Sequence, residues 1–364
     1  MIFGKKKKNQ IEEIRDKQPD EAKKYAAPTG GKNNVLVIGG AGFIGSHLCE
    51  ELLKDNNVVC LDNFITSNVE NIRFLMDKPN FQFINHNFIE KIDLDERPEL
   101  KKFKVEIFGF QEIYNLACPT SAKNFDNLII DTALANSALV RNVLEMALQY
   151  NAKLVHASSA VVYGPRQTNN YVDESYLGTV DFVGPRSCYD EGKRFAESLI
   201  SNYNKFNKKN FKIARIFRTY GPRLALKDGQ MISDFIVSAL DNQDLIIYGD
   251  KNFSTALVYI SDVVDGLIKL MKSDFYGPIN LGSNVDVLLS EVAQNIIDLT
   301  GSKSKVVYRD KLDFITALSL PDISLAKVKL GWYPVTSLEQ GLEQTIEYTR
   351  ANKQVLNNLI NNHR

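Results

Sequence analysis

Residues 35–45 read VLVIGGAGFIG, and this stretch decides the fold. Its first four residues are branched and apolar, which predicts a short buried strand. Its glycines satisfy both GxGxxG and GxxGxxG, and we expect a helix to begin near Ser46. Glycine here lets the chain turn sharply and lets the backbone approach a pyrophosphate, which the amides of the helix N-terminus can bind. The residues of this loop that we assign to a dinucleotide are Gly39, Gly42, Phe43, Ile44 and Gly45.

A carboxylate follows at the place where the ribose of such a dinucleotide is usually bound. Asp62 ends the next predicted strand, 20 residues after Gly42, and a carboxylate there accepts hydrogen bonds from the ribose diol. It would also repel a 2′-phosphate, so the sequence favours NAD over NADP. A glycine turn with a purely structural role would leave this carboxylate without an explanation.

The chain alternates between short apolar runs and amphipathic segments, as expected of a parallel sheet with helices on both faces. The predicted strands are Val35–Ile38, Val58–Leu61, Phe81–Ile84, Glu112–Ala117, Lys153–Ala157 and Lys212–Ile216. The predicted helices include Gly45–Lys54, Ala133–Tyr150, Met231–Asp241, Ser261–Met271 and Leu289–Thr300. We therefore predict an α/β fold, a Rossmann-type doubly wound parallel sheet with a smaller mixed α/β C-terminal substrate lobe.

The predicted fold divides the chain into four parts, because 364 residues exceed what one compact core usually holds. They are a charged, disordered tail over 1–33, an NAD-binding Rossmann domain over 34–220, a mainly substrate-binding lobe over 221–350, and a C-terminal tail over 351–364.

Composition excludes several classes of protein. The chain holds 44 Lys+Arg and 44 Asp+Glu, and the part after the lysine-rich tail is slightly acidic. Nucleic acid is not expected as a partner, because binding it requires a basic excess on the folded body. No apolar run approaches the about 18 residues of a membrane span. The four cysteines lack the paired spacing of disulfides or metal sites, so we expect a cytoplasmic protein without a metal ion.

A second pattern carries the chemistry. Tyr189 and Lys193 stand four residues apart in a segment predicted to be helical, so both side chains lie on one face. An ammonium close to a phenol stabilises the phenolate and lowers the tyrosine pKa, which would make Tyr189 a usable base near neutral pH. The pattern YxxxK is common, but here it follows a dinucleotide loop and a strand that ends in Ser158 and Ser159.

These motifs together resemble the extended short-chain dehydrogenase/reductases that act on nucleotide sugars. The resemblance extends from about Asn34 to about Tyr348. It rests on Gly39–Gly45, Asp62-Asn63, Asn115-Leu116-Ala117, Ser159 with Tyr163-Gly164, Tyr189 with Lys193, Tyr220-Gly221-Pro222-Arg223, Asn280-Leu281-Gly282 and Leu330-Gly331-Trp332. Residues 184–194, Cys118-Pro119 and Asp228-Gly229 are similar to UDP-glucuronate decarboxylase in particular.

The resemblance implies NAD as the cofactor and a nucleotide-diphosphate sugar as the substrate. It implies that Ser159 binds the sugar 4-hydroxyl, that Tyr189 takes its proton as a hydride leaves C4, and that Lys193 holds the tyrosine and the nicotinamide ribose. It adds to the cofactor site Asn63, Asn87, Leu116, Ala117, Tyr189 and Lys193, and to the substrate site Ser159, Arg218 and Arg223. It also implies a homodimer formed by the helices near Ala133–Tyr150 and Tyr189–Tyr203.

The residues after Ser159 distinguish between the reactions of this family. Related 4,6-dehydratases keep Asp-Glu there and decarboxylases keep Ser-Glu, whereas this chain has Ala160-Val161, which cannot move a proton. Dehydration is therefore not expected. UDP-glucuronate decarboxylation stays open as the alternative, because a β-keto acid loses carbon dioxide easily. A 4-epimerase or 4-oxidase needs only the tyrosine, lysine and serine with NAD, and we rank 4-epimerisation first.

Other departures concern the charges that face the substrate. Family members commonly keep Asn where this chain has Arg218, and keep arginines near the positions of Thr255 and Ser319. Arg218 either supplies charge for the diphosphate, which a guanidinium binds through two hydrogen bonds, or pairs with a nearby carboxylate. Both interpretations stay open. Asn87 replaces an acidic residue that often faces the adenine amine.

A non-catalytic protein that binds NAD as a sensor or scaffold is the alternative from another class. The trio of Tyr189, Lys193 and Ser159 argues against it, because a chain without chemistry has no need of these groups. His156 lies inside a predicted strand and is interpreted as a buried structural histidine. Asp173-Glu174 lacks His or Cys neighbours, so we interpret it as a solvated loop instead of a metal site.

Overall fold

The structure is a computed structural model of the chain. It describes residues 25, 26, 28, 31–121, 127–167, 171–226, 229–249, 251–312 and 316–362, and its description of side chains ends at residue 355. Most of the tail predicted for residues 1–33, and Asp228 of the decarboxylase-like motif, therefore lie outside the described residues.

The described residues alternate between strands and helices from Asn34 onward. The strands are β1 Asn34–Ile38, β2 Asn57–Asp62, β3 Phe81–Asn85, β4 Glu112–Asn115, β5 Lys153–Ser159, β6 Tyr171–Val172, β7 Lys212–Ile216, β8 Thr219–Tyr220, β9 Leu245–Tyr248, β10 Ser254–Ala256, β11 Val258–Tyr259, β12 Pro278–Leu281, β13 Asp286–Leu288, β14 Val306–Arg309 and β15 Leu320–Pro321. The helices are α1 Phe43–Leu52, α2 Val105–Phe108, α3 Ile129–Ala135, α4 Ala138–Gln149, α5 Ser187–Asn207, α6 Met231–Leu240, α7 Ile260–Lys272, α8 Leu289–Thr300, α9 Ser324–Leu330 and α10 Leu338–Asn362.

Seven strands form one parallel sheet in the order β12-β7-β5-β4-β1-β2-β3. All five residues of β1 are buried, as expected of a central strand covered on both faces. Successive residues of β1 face opposite sides of the sheet. Val37 enters an apolar cluster that includes α1 and α7, and Leu36 enters another that includes α4 and α5. These layers confirm the predicted Rossmann-type doubly wound fold.

The smaller lobe contains α6, α8 and α10 with the parallel pair β9–β14 and the antiparallel pair β10–β13. The predicted boundary at residue 220 does not separate two structural units, because α7 and β12 return to the large sheet from within 221–350. Helix α7 packs on β5 and β7, and β12 pairs with β7 as an edge strand.

The predicted boundary at residue 351 falls inside α10, which continues to Asn362. No glycine or proline occurs after Gly341 to end the helix. At the other end of the chain, Tyr25 lies inside the predicted tail yet packs on the Rossmann domain. Its ring centroid is 4.8 Å from that of Tyr150, and its hydroxyl donates to Asp95 at 2.7 Å.

The single helix predicted over Ala133–Tyr150 is interrupted between α3 and α4. Asn136 Nδ2 donates to the carbonyl oxygen of Thr132 at 2.9 Å, and Ser137 Oγ donates to that of Ala133 at 2.7 Å. Such side-chain bonds compete with the backbone bonds of a helix. The apolar periodicity on either side of the break does not reveal it.

The strand order places the site. Chain connections leave β1 and β4 toward opposite edges of the sheet, which opens a crevice at their carboxyl ends, where such folds bind ligands. Gly39 follows β1, Leu116 follows β4, and Ser159 ends β5. The candidate residues therefore gather at one edge of the sheet.

Candidate active site

Every residue assigned to the cofactor, the substrate or catalysis lines one of two adjoining cavities at this edge. Asp62, Asn63, Asn87 and Ala117 line the first cavity. Phe43, Ile44, Gly45, Ser159, Tyr189, Lys193, Arg218 and Arg223 line the second. Gly39, Gly42 and Leu116 line both cavities, so the two meet at the glycine loop.

The glycine loop fits a dinucleotide for the reasons that the sequence suggested. Gly39 has a φ of +79°, and a Cβ there would lie 2.7 Å from the backbone nitrogen of Ala117. A Cβ at Gly45 would lie 2.2 Å from the carbonyl oxygen of Gly39. Gly42 is the N-cap of α1, and no described side chain caps this helix. Its first amides are therefore available to a pyrophosphate.

Asp62 is held in a fixed orientation beside the loop. Its Oδ2 accepts from the amide of Ala41 at 3.0 Å, and its Oδ1 accepts from the amide of Phe64 at 2.9 Å and the hydroxyl of Ser67 at 2.8 Å. A carboxylate offers about four lone-pair positions, so these bonds leave capacity for the ribose diol. The three donors fix the carboxylate before the cofactor binds.

The predicted catalytic trio is assembled on one wall of the second cavity. Ser159 ends β5, while Tyr189 lies in the first turn of α5 and Lys193 lies one turn later. A hydrogen bond joins Tyr189 to Ser159. Lys193 Nζ lies 5.8 Å from the centroid of the Tyr189 ring and donates to the carbonyl oxygen of Ala157 at 2.9 Å.

The environment of Tyr189 differs from the expectation in one respect. Burial raises the pKa of Tyr189 above its ordinary value, and the main groups that oppose this rise are Ser159, through its hydrogen bond, and Arg186, through its charge. The spacing had pointed to Lys193 for this role. Lys193 instead donates its hydrogen bond to the backbone of β5, and its ammonium group faces the ring of Tyr189.

The pair that follows Ser159 is apolar and enclosed. Residues 160–163 form a turn of 3₁₀ helix, and Ala160 and Val161 are both buried. Val161 packs against Tyr189 and lines the second cavity. This part of the wall therefore holds no side chain that could donate or accept a proton.

A buried polar network behind the trio was not identified from the sequence. The Glu197 carboxylate accepts from Arg215 Nη2 at 2.7 Å and from the hydroxyl of Ser158 at 2.5 Å. Arg215 Nη1 donates to Tyr163 Oη at 2.9 Å, and Tyr163 in turn donates to Asn280 Oδ1 at 2.7 Å. The network ties α5 to β5, β7 and β12. The one feature of the sequence that could have indicated this network is the spacing of four residues between Lys193 and Glu197, which places both on one face of the helix.

Two arginines of the second cavity differ in their partners. Arg186, to which the sequence analysis gave no role, donates from Nε and Nη2 to Asp190 at 3.0 and 2.9 Å. Arg218 has no carboxylate at ion-pair distance among the described residues, and its Nη1 lies 3.4 Å from Met231 Sδ. The interpretation that Arg218 pairs with a carboxylate therefore finds no support there.

Arg223 lies where the cavity approaches α1. Its guanidinium donates to Glu50 and lies 4.6 Å from the centroid of the Phe74 ring. His47 Nε2 donates to the carbonyl oxygen of Pro222 at 2.9 Å, which ties α1 to the loop that carries the arginine. Burial, followed by the charge of Arg223, lowers the pKa of His47 to about 4.

His156 is buried, as interpreted from the sequence. Its Nδ1 accepts from Asn115 Nδ2 at 3.0 Å, whereas its Nε2 has no partner among the described residues. Burial and the charge of Lys193 hold the pKa of His156 well below its usual value, so the ring is neutral.

Glu174, which was interpreted from the sequence as part of a solvated loop, forms a hydrogen bond to the backbone of β12. Its Oε1 accepts from the amide of Asn280 at 2.8 Å.

The described part of the chain offers neither a cluster of metal ligands nor a membrane-spanning helix. No group of three or more His, Cys, Asp or Glu residues is placed there to hold a metal ion. No helix in the same part is long and apolar enough to cross a membrane.

Comparison with known proteins places this site in a family. Residues 35–282 match the NAD dependent epimerase/dehydratase family. The chain belongs to this family. The match covers the glycine loop and the trio, and it confirms the resemblance to the extended short-chain dehydrogenase/reductases. NAD is the cofactor, and the glycine cradle and Asp62 fit it.

Curated relatives carry a more specific name. The chain is 37% identical over 318 residues to UDP-glucuronic acid decarboxylase 1 of Danio rerio, covering 87% of this chain and 72% of the relative. It is 37% identical over 319 residues to UDP-glucuronic acid decarboxylase 4 of Arabidopsis thaliana, covering 86% of this chain and 69% of the relative.

Solved structures that resemble this chain include epimerases. An epimerase of Methanothermobacter thermautotrophicus is 28% identical with a TM-score of 0.79, covering 90% of this chain and 95% of that one. UDP-glucuronic acid 4-epimerase of Bacillus cereus, in complex with UDP-glucuronic acid and NAD, is 26% identical with a TM-score of 0.76, covering 87% of this chain and 99% of that one.

Proposed function

We propose that the protein oxidises a UDP-sugar at C4 and that this sugar is UDP-glucuronate, which it decarboxylates to a UDP-pentose. The arrangement of Ser159, Tyr189 and Lys193 beside the glycine loop carries the first part. The second part is supported by the relatives named UDP-glucuronic acid decarboxylases, whose matches cover 85–88% of this chain. They favour decarboxylation over the 4-epimerisation that the sequence ranked first.

The trio performs the oxidation step. Ser159 donates a hydrogen bond to the sugar 4-oxygen, and the Tyr189 phenolate takes the hydroxyl proton as the C4–H bond breaks and C4 becomes a ketone. Ser159, through its hydrogen bond, and Arg186, through its charge, favour the phenolate, while Lys193 would hold the nicotinamide ribose. NAD, when bound, would accept the hydride from C4, and its reduced form would later return that hydride to the sugar.

Decarboxylation then follows from the structure of the oxidised sugar. A ketone at C4 makes the C6 carboxylate a β-keto acid, so the C5–C6 bond can break with release of carbon dioxide. The electron pair moves to the ketone oxygen as an enolate, and C5 then takes a proton. The ketone at C4 would then take back the hydride from the reduced cofactor and a proton from Tyr189, which gives the UDP-pentose. Ala160 and Val161 supply no proton for C5, and we propose that water donates it. Losing a positioned acid typically costs about 10²–10⁴-fold in rate, and we therefore propose a slow decarboxylase.

4-Epimerisation is the second candidate, and the apolar Ala160-Val161 pair favours it. Epimerisation of the same ketone requires only that the sugar turn over before the hydride returns to its other face. It needs no acid or base beyond Tyr189. The likeness to a UDP-glucuronic acid 4-epimerase at 26% identity adds support.

One incubation separates the two reactions. The protein is given UDP-glucuronate and NAD, and the products are read by mass spectrometry and proton NMR. Decarboxylation yields carbon dioxide and a UDP-pentose, whereas epimerisation yields a UDP-hexuronate of unchanged mass with inverted C4. The control is Tyr189→Phe, which should form neither product. If the wild-type protein converts UDP-glucose and leaves UDP-glucuronate untouched, the proposed substrate is wrong.

We also propose that the enzyme is a homodimer. The resemblance implied a contact through the helices near Ala133–Tyr150 and Tyr189–Tyr203, and we propose that α3, which ends at the start of the first range, forms it together with α5. Helices α3 and α5 pack on each other and present apolar side chains to solvent, among them Ile130 at 67% and Phe195 at 51% exposure. A second copy of the same helices would cover these side chains, and the hydrophobic effect would favour that contact.

A further inference from the structure

Among the described residues, the second cavity is lined by arginines and by no carboxylate. Three arginines line it, together with Ser159 and Tyr189. Arg186 is paired with Asp190, and Arg223 is paired with Glu50. Arg218 has no such partner among the described residues, and its Nε atom is buried without any hydrogen-bond acceptor.

A guanidinium in this position is costly in the free protein. Removing a charge from water without a counter-charge is unfavourable, and Arg186 adds repulsion. Burial, followed by the charge of Arg186, lowers the pKa of Arg218 to about 10. The side chain still carries its proton at neutral pH. The cavity is therefore prepared for one additional anionic group, and the substrate is the molecule that would bring it.

The position of this charge indicates which anion it meets. Arg186 stands three residues before Tyr189, at the start of α5, and its charge acts on both Tyr189 and Arg218. Arg186 thus lies near the phenol that is proposed to contact the sugar C4 oxygen, and Arg218 lies near Arg186 in the same cavity. In a hexuronate, the carboxylate carbon is bonded to C5, the neighbour of C4. The diphosphate is bonded to C1, across the ring from C4.

We infer that Arg218 binds the C6 carboxylate of the sugar, so that the site selects a nucleotide hexuronate over a neutral nucleotide hexose. The inference rests on the proposed function and adds a specificity-determining residue to it. The planar guanidinium would donate two hydrogen bonds to the carboxylate oxygens, and one of them would come from the Nε atom that now lacks an acceptor. It applies equally to decarboxylation and to 4-epimerisation.

The test measures binding, so it does not depend on turnover. Wild-type protein and the variant Arg218→Gln are loaded with NADH, which cannot accept the C4 hydride, and are titrated calorimetrically with UDP-glucuronate, UDP-glucose and UDP. We expect the wild-type protein to bind UDP-glucuronate at least about tenfold tighter than UDP-glucose. The variant should lose about 10–100-fold in affinity for UDP-glucuronate, as for a charge-assisted pair, and about twofold or less for the other two ligands.

Two further variants make the comparison specific. Arg218→Met replaces the guanidinium by a shorter, unbranched apolar side chain without charge, and should show the same selective loss. Arg97→Gln removes an arginine that pairs with Glu99 and does not line either cavity. It should leave all three affinities unchanged.

The possible outcomes separate this inference from the proposed function. An equal loss for all three ligands would assign Arg218 to the diphosphate, and no loss for UDP-glucuronate would place the carboxylate elsewhere; either result overturns the inference. A wild-type protein that binds none of the three ligands overturns both proposals. Selective loss for UDP-glucuronate, without carbon dioxide or an epimer being formed, supports the inference and contradicts the proposed reaction alone.

Discussion

At the scale of single residues, Tyr189 is buried, which disfavours the phenolate, although the proposed reaction uses the phenolate as its base. Burial raises its pKa, so the neutral form predominates in the protein without ligands. The phenolate fraction grows as the pH rises, and in the proposed reaction the phenolate is the base. Ser159 and Arg186 offset part of the effect of burial, and these two contacts therefore matter to the reaction as well as to the fold.

Tyr189→Phe should lower turnover by at least about a hundredfold, because it removes the proton acceptor and leaves the cavity wall in place. Steady-state kinetics on the confirmed substrate provide the measurement. NAD binding and the thermal midpoint should match those of the wild-type protein. Turnover at the wild-type rate would show that the proton leaves by another route.

Asp62→Ala should weaken NAD binding by about 1–3 kcal/mol, because it removes the acceptor for the ribose diol. The wild-type protein should bind NAD more tightly than NADP, and titration of both cofactors measures the difference. Asp62→Asn removes the charge but retains one oxygen that can accept from the amide of Ala41 or Phe64. It therefore serves as the variant that preserves the structure of the glycine loop. Equal affinity of the wild-type protein for NADP would mean that Asp62 does not face the ribose.

At the scale of elements, helix α5 is held by a buried ion pair as well as by its apolar face. The Glu197 and Arg215 side chains are only 13% and 12% exposed, and Ser158, adjacent to Ser159 of the proposed catalytic trio, donates to the same carboxylate. The pair therefore connects the helix that carries Tyr189 and Lys193 to the strand that carries Ser159. A shift of this helix would separate the members of the trio.

Glu197→Gln should destabilise the fold by about 3 kcal/mol, because it leaves Arg215 buried without a counter-charge. Urea unfolding measures the change in the free energy of unfolding. The matched control is Glu70→Gln, which breaks the exposed pair with Arg73 and should leave the unfolding midpoint unchanged. Equal effects of the two substitutions would mean that the buried pair does not anchor α5.

His47 links α1 to the loop that carries Arg223, and this link predicts a dependence of stability on pH. Its pKa is about 4 in the folded protein, below the value of about 6.5 expected in the unfolded chain. As the pH falls from 6.5 to 4, the unfolded chain takes up a proton that the folded protein refuses, so the free energy of unfolding decreases, by up to about 3 kcal/mol.

His47→Gln keeps a donor for the Pro222 carbonyl and cannot be protonated. The free energy of unfolding of this variant should therefore fall less steeply than that of the wild-type protein between pH 6.5 and 4. Denaturant titrations at several pH values in this window provide the comparison. Identical slopes for the two proteins would show that His47 is not the group being protonated.

The elements that could be predicted from the sequence are those whose signal is local. The glycine loop, the six predicted strands and the pair Tyr189 and Lys193 depend on spacing within a few residues, and the structure has them where they were expected. The Arg215–Glu197 contact joins residues on separate elements. The break at Asn136 depends on side-chain bonds to the backbone, and the return of β12 to the sheet depends on tertiary pairing. Periodicity carries no information about these three features.

At the scale of the whole molecule, the proposed dimer provides another prediction. Ile130→Glu should shift the protein toward the monomer, because it places a charge within the apolar surface of α3 and α5. Light scattering coupled to size-exclusion chromatography measures the mass. The control is Tyr276→Glu, an exposed residue beyond these helices. A wild-type protein of monomeric mass would contradict the proposed dimer.

The return of α7 and β12 to the large sheet bears on how the specificity of such a chain can evolve. A recombination event that exchanged everything after residue 220 would also exchange an edge strand and a helix of the cofactor-binding domain. Both make contacts with β7 that the new segment would have to reproduce. Wholesale exchange of the second lobe is therefore disfavoured. Replacement of single residues at the cavity wall, such as Arg218 in our inference, would change the ligand while leaving the shared sheet intact.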